Sequence, residues 1–304
     1  MEKFDRNLDF EFEGLHRLTD MADAMHRISV SGVQEKFPAV VESGRIRIAA
    51  DGQQSKYILK PAPWDETLEA RKFIPVNEYL TMQIASKVYG IETAESNLCF
   101  TPSGQAVYIT KRFDIAPDGS RYPMEDFASV LGRNLGMLNP DDKYSGTYSA
   151  IAEALRRFVP AWMGDMERFF TLVLFNYIYC NSDAHLKNFS LITRNGEMRL
   201  SPAYDLMNTG LHIQGDDFAL DGGLGTARSE VYVLTGHPCR RDFETFGLAI
   251  GLNATRISGI LNKFSAIPEK AQLLLDGSPL PEKLKRQYKR LVQERIIRFN
   301  RISG

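Results

Sequence analysis

Asn181-Ser182-Asp183-Ala184-His185-Leu186-Lys187-Asn188, followed one hairpin later by Pro202-Ala203-Tyr204-Asp205, is the stretch that decides how this 304-residue chain is read. Asp183 stands five residues before Asn188, the spacing at which a carboxylate can accept a proton while an amide oxygen holds a divalent cation. Asp205 adds a second carboxylate. Mg²⁺ takes hard oxygen donors and keeps part of its water shell, so one carboxylate and one amide suit it when phosphates complete the coordination. Taken alone, Asp183 and Asn188 are ordinary turn formers and Asp205 an ordinary helix cap. The flanking pattern separates the two readings.

Before the loop, Arg168 to Tyr179 is apolar nearly all round, which predicts a buried helix too short to span a bilayer. After it, Phe189 to Ile192 and Met198 to Leu200 read as strands joined through Asn195-Gly196, a tight-hairpin signal. Buried helix, polar loop, hairpin and Asp is the order of the large lobe of a protein kinase.

Upstream, the pattern is β. Phe37 to Val41, Arg45 to Ala49 and Lys56 to Lys60 predict a three-stranded meander, broken by Pro61-Ala62-Pro63. Ile74 to Val88 has helical apolar spacing and ends at Gly90, a helix stop. Leu98 to Phe100 and Ala106 to Thr110 predict two more strands. Met1 to His26 is mixed and acidic early on, then looks weakly helical, and is assigned little. Later helices are expected over Glu125 to Leu131, Thr147 to Phe158, Glu167 to Tyr179, Arg240 to Ala249, Ala254 to Phe264 and Glu282 to Ile302. The expected fold is therefore α+β and bilobal, protein-kinase-like, with a small β-rich lobe over 1–115 and a larger helical lobe over 116–304. Asp114 to Tyr122 is the expected crossing.

A kinase needs a cation on the nucleotide phosphates, and Lys60 closes the third strand where that lysine is expected, with Glu78 or Glu69 as its partner. Backbone N–H groups of a Gly-bearing turn also bind phosphate. Ser29 to Lys36 is the candidate, with Ser31, Gly32, Val33 and Gln34 facing ATP, although it matches neither G-x-G-x-x-G nor Walker A. Lys111, Arg112, Phe113 and Asp114 stand at the hinge, where backbone reads adenine and Asp114 reaches the ribose. His185 and Lys187 are candidate contacts to the nucleotide; His185 alternatively shapes the loop.

Composition narrows the alternatives. With 43% hydrophobic residues the chain can bury a full core, and a net charge of −1 gives no global field for nucleic acid or anionic membrane. Cys99, Cys180 and Cys239 are scattered, lack a Cys-x-x-Cys spacing and suit packing roles in a reducing cytoplasm. The charged N-terminus has no apolar export segment.

Ser29-to-Lys36, Ile58-Leu59-Lys60-Pro61, Asn77-Glu78, Lys111-to-Asp114, Glu125-Asp126-Phe127, Lys143-Tyr144, Asn181-to-Asn188 and Pro202-to-Leu206 together resemble the HipA-type serine/threonine kinases, the toxins of bacterial toxin–antitoxin modules. The resemblance implies ATP and Mg²⁺ as cofactors, Asp183 as base, Asn188 and Asp205 as metal ligands, Lys60 on the phosphates, and autophosphorylation of Ser29 and Ser31. It also implies an aminoacyl-tRNA synthetase as the protein substrate and a HipB-like DNA-binding antitoxin as partner, with DNA bound only indirectly and no membrane. Barely thirty residues precede the Gly-bearing loop, and in this the chain is similar to the shortened HipT toxins of HipBST modules, which implies a HipS-like small protein as a further partner.

Two other classes compete. Asp-x-His-x-x-Asn also occurs in lipid kinases, and small-molecule kinases are a neighbouring reading; phosphate transfer to protein, lipid or drug discriminates them. The basic run of Lys283, Lys285, Arg286, Lys289, Arg290, Arg295, Arg298 and Arg301 allows a catalytically inactive antitoxin- or DNA-complex module, although such a run is expected to be a solvated helix face.

Overall fold

Strand alternation puts Lys60 where it is. In β3 (Tyr57–Lys60) Tyr57 and Leu59 face one side of the sheet and Lys60 the other. The computed structural model describes residues 1, 3–12, 34–133 and 140–302. Around β3, β1 (Phe37–Glu42) and β2 (Arg45–Ile48) lie on one flank, and β5 (Ala106–Lys111) and β4 (Ser96–Phe100) on the other. The order is β2-β1-β3-β5-β4, antiparallel throughout, with Lys60 opposite Tyr108. All five strands fall within a residue or two of the expected positions.

The outer face of this sheet buries Ala39, Ile46, Tyr57, Leu59, Val107 and Ile109 beneath Leu8 and Phe12. The part of the N-terminus expected to be weakly helical lies largely outside the described residues; residues 3–12 run beside β4, with Leu8 N donating to Phe100 O at 2.8 Å and Phe100 N to Arg6 O at 2.8 Å. Burying an otherwise exposed apolar sheet face holds this segment in place.

The inner face packs on α1 (Ile74–Tyr89), which has Pro75 in its first turn and stops at Gly90, in the left-handed region at φ 67°. Helix α1 is also fastened to the second half of the chain. Asn77 donates to Asn208 O at 2.8 Å and accepts from Asn208 N at 3.2 Å, while Thr81 and Tyr288 hydroxyls meet at 3.0 Å. These contacts set the helix's rotation, and with it the direction of Glu78. Asn77→Ala is expected to orphan a buried N–H and carbonyl at about 1–3 kcal/mol each, lowering the urea midpoint of unfolding. An unchanged midpoint would remove this role.

The second half is chiefly helical, as expected for α+β. A small sheet, β6 (Met124–Asp126), β7 (Ser190–Arg194) and β8 (Glu197–Leu200), lies beside it in the order β6-β7-β8. The β7–β8 turn uses Asn195 at φ 51° and Gly196 at φ 80°, the pair of positive values that a two-residue hairpin requires. The helix expected over Glu125 to Leu131 is corrected: Glu125 and Asp126 pair with Leu191 and Ser190, and only α2 (Phe127–Val130) is helical, capped by Asp126 on Ser129 N. Pairing with a strand some sixty residues later overrode the local pattern.

Then follow α3 (Tyr148–Phe158), capped by Thr147, and α4 (Trp162–Ile178), the buried axis of the lobe. The latter begins five residues earlier than expected. Its first turn is held by buried Asp165, which accepts from Arg199, Arg168 and Leu200 N. The remaining helices are α5 (Glu230–Thr235), α6 (Arg240–Ala249), α7 (Ala254–Asn262), α8 (Glu269–Asp276) and α9 (Glu282–Phe299); α5 and α8 were missed. The solvated basic face expected for α9 is partly corrected. Arg295 is buried, stacks on Tyr177 and pairs with Asp217, which Arg298 also reaches at 3.2 Å. Among the described residues no helix is long and apolar enough to cross a membrane. The three cysteines are buried and unbridged.

Candidate active site

The end of β3, the middle of α1, and the segments following α4 and β8 converge on one cleft. Lys60, 4% exposed, sits 2.6 Å from Glu78 Oε1 and bonds Asp205 Oδ1. Of the two acids that the sequence left open, Glu78 is the partner; Glu69 lies elsewhere, its carbonyl 2.7 Å from His212 Nδ1. Lys60 thus lies buried between two carboxylates. Burial opposes the charge on Lys60, yet Asp205 and Glu78 hold its pKa well above the ordinary lysine value. Burial pushes Glu78 up to about 6 against the pull of Lys60. Burial likewise opposes ionisation of Asp205, but Lys60 and Lys36, the latter 3.6 Å away, outweigh it and hold this carboxyl well below the usual range.

Asp205 adopts φ 56°, the left-handed region that a non-glycine residue occupies only when its surroundings dictate it. Here they do: Asn181 Nδ2 bonds Asn176 Oδ1 at 2.9 Å and reaches Asp205 O at 3.4 Å, tying the segment to the end of α4. Cys180, also left-handed at φ 57°, turns the chain out of that helix, and its carbonyl accepts from the Thr209 hydroxyl at 2.9 Å. The loop that follows is thereby pinned at its start.

Asp183, 5% exposed, accepts from the Tyr144 hydroxyl at 2.8 Å. Asn188 closes a 3-10 turn (Leu186–Asn188): its Oδ1 accepts from His185 N at 3.0 Å, and its Nδ2 lies 3.4 Å from Asp205 Oδ2. His185 is buried, with no hydrogen-bond partner on either ring nitrogen among the described residues, and burial pushes its pKa down to about 4, so the ring is neutral near pH 7. Lys187 is exposed, and its carbonyl accepts from the Tyr204 hydroxyl at 2.8 Å.

The hinge candidates end and follow β5, and among the described residues only Phe113 of this group reaches a neighbour of the cleft residues. Phe113 stacks obliquely on Tyr204, ring centroids 5.8 Å apart, and its carbonyl accepts from Arg194 at 2.8 Å. The Asp114 carboxylate is clasped by Arg112 Nε at 2.9 Å, and Lys111 Nζ lies 3.7 Å from Glu95. Gln34 Nε2 donates to Pro61 O at 2.9 Å, beside Lys60. Ser29, Ser31, Gly32 and Val33 lie outside the described residues. Tyr144 and Lys36 are site neighbours that sequence reasoning gave no role, although Lys143-Tyr144 stood among the motifs.

The donor chemistry suits Mg²⁺, although Asn188 turns its Nδ2 toward Asp205 and its Oδ1 toward His185 N, so its amide would have to turn to offer oxygen. Asp205 and Asn188 offer a carboxylate and an amide, both hard oxygen donors, and the Asp205 oxygens already draw two ammonium groups, so the position favours positive charge. When bound there, Mg²⁺ neutralises charge on phosphate oxygens.

A β-sheet lobe with one helix, a helical lobe, and a Lys–Glu pair facing two acidic loops define a kinase-like fold. The fold matches that of HipA of Shewanella oneidensis, solved with HipB and operator DNA, at a TM-score of 0.67 and 22% identity over 91% of this chain and 66% of that one. The Helicobacter pylori proinflammatory kinase CtkA matches at 0.53 and 16% identity over 86% and 90%. The chain belongs to the HipA-like C-terminal domain family, which it matches over residues 28–271. Putative kinase Y4dM of Sinorhizobium fredii is 34% identical over 64% of this chain and 48% of its own length, and a Haemophilus influenzae protein named as a putative kinase is 25% identical over 90% and 87%. The chain thus spans about half the length of Y4dM.

Proposed function

We propose that this chain is an ATP- and Mg²⁺-dependent serine/threonine protein kinase acting as the toxin of a bacterial toxin–antitoxin module. The observation that carries the reading is the convergence of Lys60, Glu78, Asp205, Asn188 and Asp183, from four separate stretches of sequence, on one cleft. Lys60, positioned by Glu78, binds the nucleotide phosphates. Asn188 and Asp205 hold Mg²⁺, and Lys111 to Asp114 border the adenine and ribose between lobes spanning 1–115 and 116–304.

Asp183 accepts the proton of the attacking serine or threonine hydroxyl as its oxygen bonds to the γ-phosphorus and the bridging bond to ADP breaks. Neutral His185 packs beside it without competing for that proton. The acceptor is a protein, with an aminoacyl-tRNA synthetase as the proposed class, in the cytoplasm. A HipB-like antitoxin is supported by the relative solved with HipB and operator DNA; a HipS-like partner, as in HipT modules, rests on the sequence resemblance alone.

The test is incubation of the purified chain with γ-labelled ATP, Mg²⁺ and a bacterial lysate, followed by phosphosite mapping. Label on serine or threonine of a protein is expected, and label confined to lipid or small molecules would overturn the reading. Phosphate on Ser29 or Ser31 is expected in the active chain and absent from Asp183→Asn made in the same cells; both serines unmodified after prolonged incubation with ATP would remove the autophosphorylation proposal. A phosphoryl group adds about −1.5 to −2 charges where ATP phosphates are expected, so this modification should inhibit.

A further inference from the structure

We propose that Tyr144 is a positioning residue for phosphoryl transfer, its phenol setting the rotation of the Asp183 carboxylate; the assignment rests on the kinase reading above. The Tyr144 hydroxyl donates to Asp183 Oδ1 at 2.8 Å. Both side chains are buried, at 3% and 5% exposure. A carboxylate base delivers a lone pair along a defined direction, so catalysis depends on how the carboxylate is turned as well as on its charge. A neutral phenol fixes that turn without supplying a positive charge, which would quench the base.

The phenol is itself held in place. Its ring meets His185 edge-on, with centroids 5.2 Å apart at 74°. Four residues on, the Tyr148 hydroxyl donates to Ala184 O at 3.0 Å, so two tyrosines grip adjacent residues of the loop.

The backbone carrying Tyr144 is laced to the chain downstream of Asp205. Asp221 N bonds Tyr144 O at 3.0 Å, Gly222 N bonds Gly146 O at 2.9 Å, and Tyr148 N bonds Gly223 O at 3.0 Å. The two strips touch so closely that a Cβ on Gly222 would lie 2.8 Å from Gly146 O. Tyr144 thus reaches the base from a platform shared with residues 221–223, and a shift of that platform moves the phenol relative to Asp183.

The test compares wild type, Tyr144→Phe, Asp183→Asn and the double variant, using γ-labelled ATP with a bacterial lysate as acceptor pool, and calorimetry with MgATP. Phenylalanine keeps the ring against His185 and removes only the hydroxyl. Loss of one charge-assisted hydrogen bond predicts that Tyr144→Phe lowers apparent kcat by about 10- to 100-fold, with the KM for ATP and the MgATP affinity unchanged. In the Asp183→Asn background the same substitution should cost nothing further, because the phenol acts through the carboxylate.

Wild-type kcat in Tyr144→Phe, a loss carried by KM, or an equal loss in the Asp183→Asn background would each overturn the assignment while leaving the kinase reading standing. Failure of the wild-type chain to label any protein overturns that reading, and this inference with it.

Discussion

Asp183→Asn is expected to fold as the wild type does, bind MgATP with unchanged affinity, and transfer phosphate on the order of 10²–10⁴-fold more slowly. The substitution is nearly isosteric, and its amide oxygen can still accept from the Tyr144 hydroxyl, so the buried contact at 2.8 Å survives. Lost is a carboxylate able to take the hydroxyl proton as the new P–O bond forms. Binding should be spared, because in the proposed function Lys60, Asn188 and Asp205, and not Asp183, hold the nucleotide and its metal. Single-turnover transfer and calorimetry on the same preparation check both halves. Wild-type transfer would remove Asp183 as base, and a large fall in affinity would place it in the nucleotide site instead.

Lys60→Met is expected to lose both nucleotide binding and stability. Removing one member of a buried charge cluster leaves its partners uncompensated, a cost of roughly 3–5 kcal/mol. Lys60 bonds Glu78 at 2.6 Å and Asp205 besides, so methionine strands Glu78, 1% exposed, and leaves Asp205 with Lys36 as its ammonium partner. The deficit should depend on pH with a defined sign. In the wild type the folded Asp205 carboxyl sits below its unfolded value, so its contribution is present above about pH 4 and lost as pH falls through the depressed value. Without Lys60 that contribution falls to what Lys36 supplies. Glu78, already pushed up to about 6 by burial, then takes up a proton at still higher pH, and the folded variant binds more protons than its unfolded chain. Its deficit relative to wild type should therefore shrink between pH 7.5 and pH 5, read from denaturant midpoints. Glu78→Gln added to Lys60→Met should recover part of the stability and none of the nucleotide binding. A deficit that grows on acidification would show that Glu78 is not the group left unpaired.

Much of the lobe architecture is local information. Phe37 to Lys60 forms a meander because alternation and turn residues sit within a few positions of one another, and the same alternation turns Lys60 away from Leu59 and toward the cleft. Asn195-Gly196 gives a hairpin because both residues tolerate positive φ. Gly90 ends α1 for the same reason. The loop from Asn181 to Asn188 was legible as a chemical motif because its polar residues interrupt an apolar helix and a strand.

Other features depended on partners far away in sequence. Local pattern makes Glu125 and Asp126 helical, yet β7 offers them open backbone groups, and pairing prevails. Residues 3–12 lack a strong pattern of their own and take the conformation that covers the outer sheet face. Arg295 reads as one more solvated cation until Asp217 and Tyr177 enclose it.

By itself, then, the sequence determined the five strands and the helix of the first lobe, the lysine at the end of β3 and the acidic loops, because each follows from periodicity, turn stereochemistry or donor chemistry within a short window. Only the tertiary structure chose Glu78 over Glu69 for Lys60, turned Asp205 into a left-handed conformation between two ammonium groups, and brought Tyr144 onto Asp183 across 39 residues of chain. Those choices depend on the rotation of α1 and the lacing of distant loops, and no local periodicity encodes the angle at which one packed element meets another.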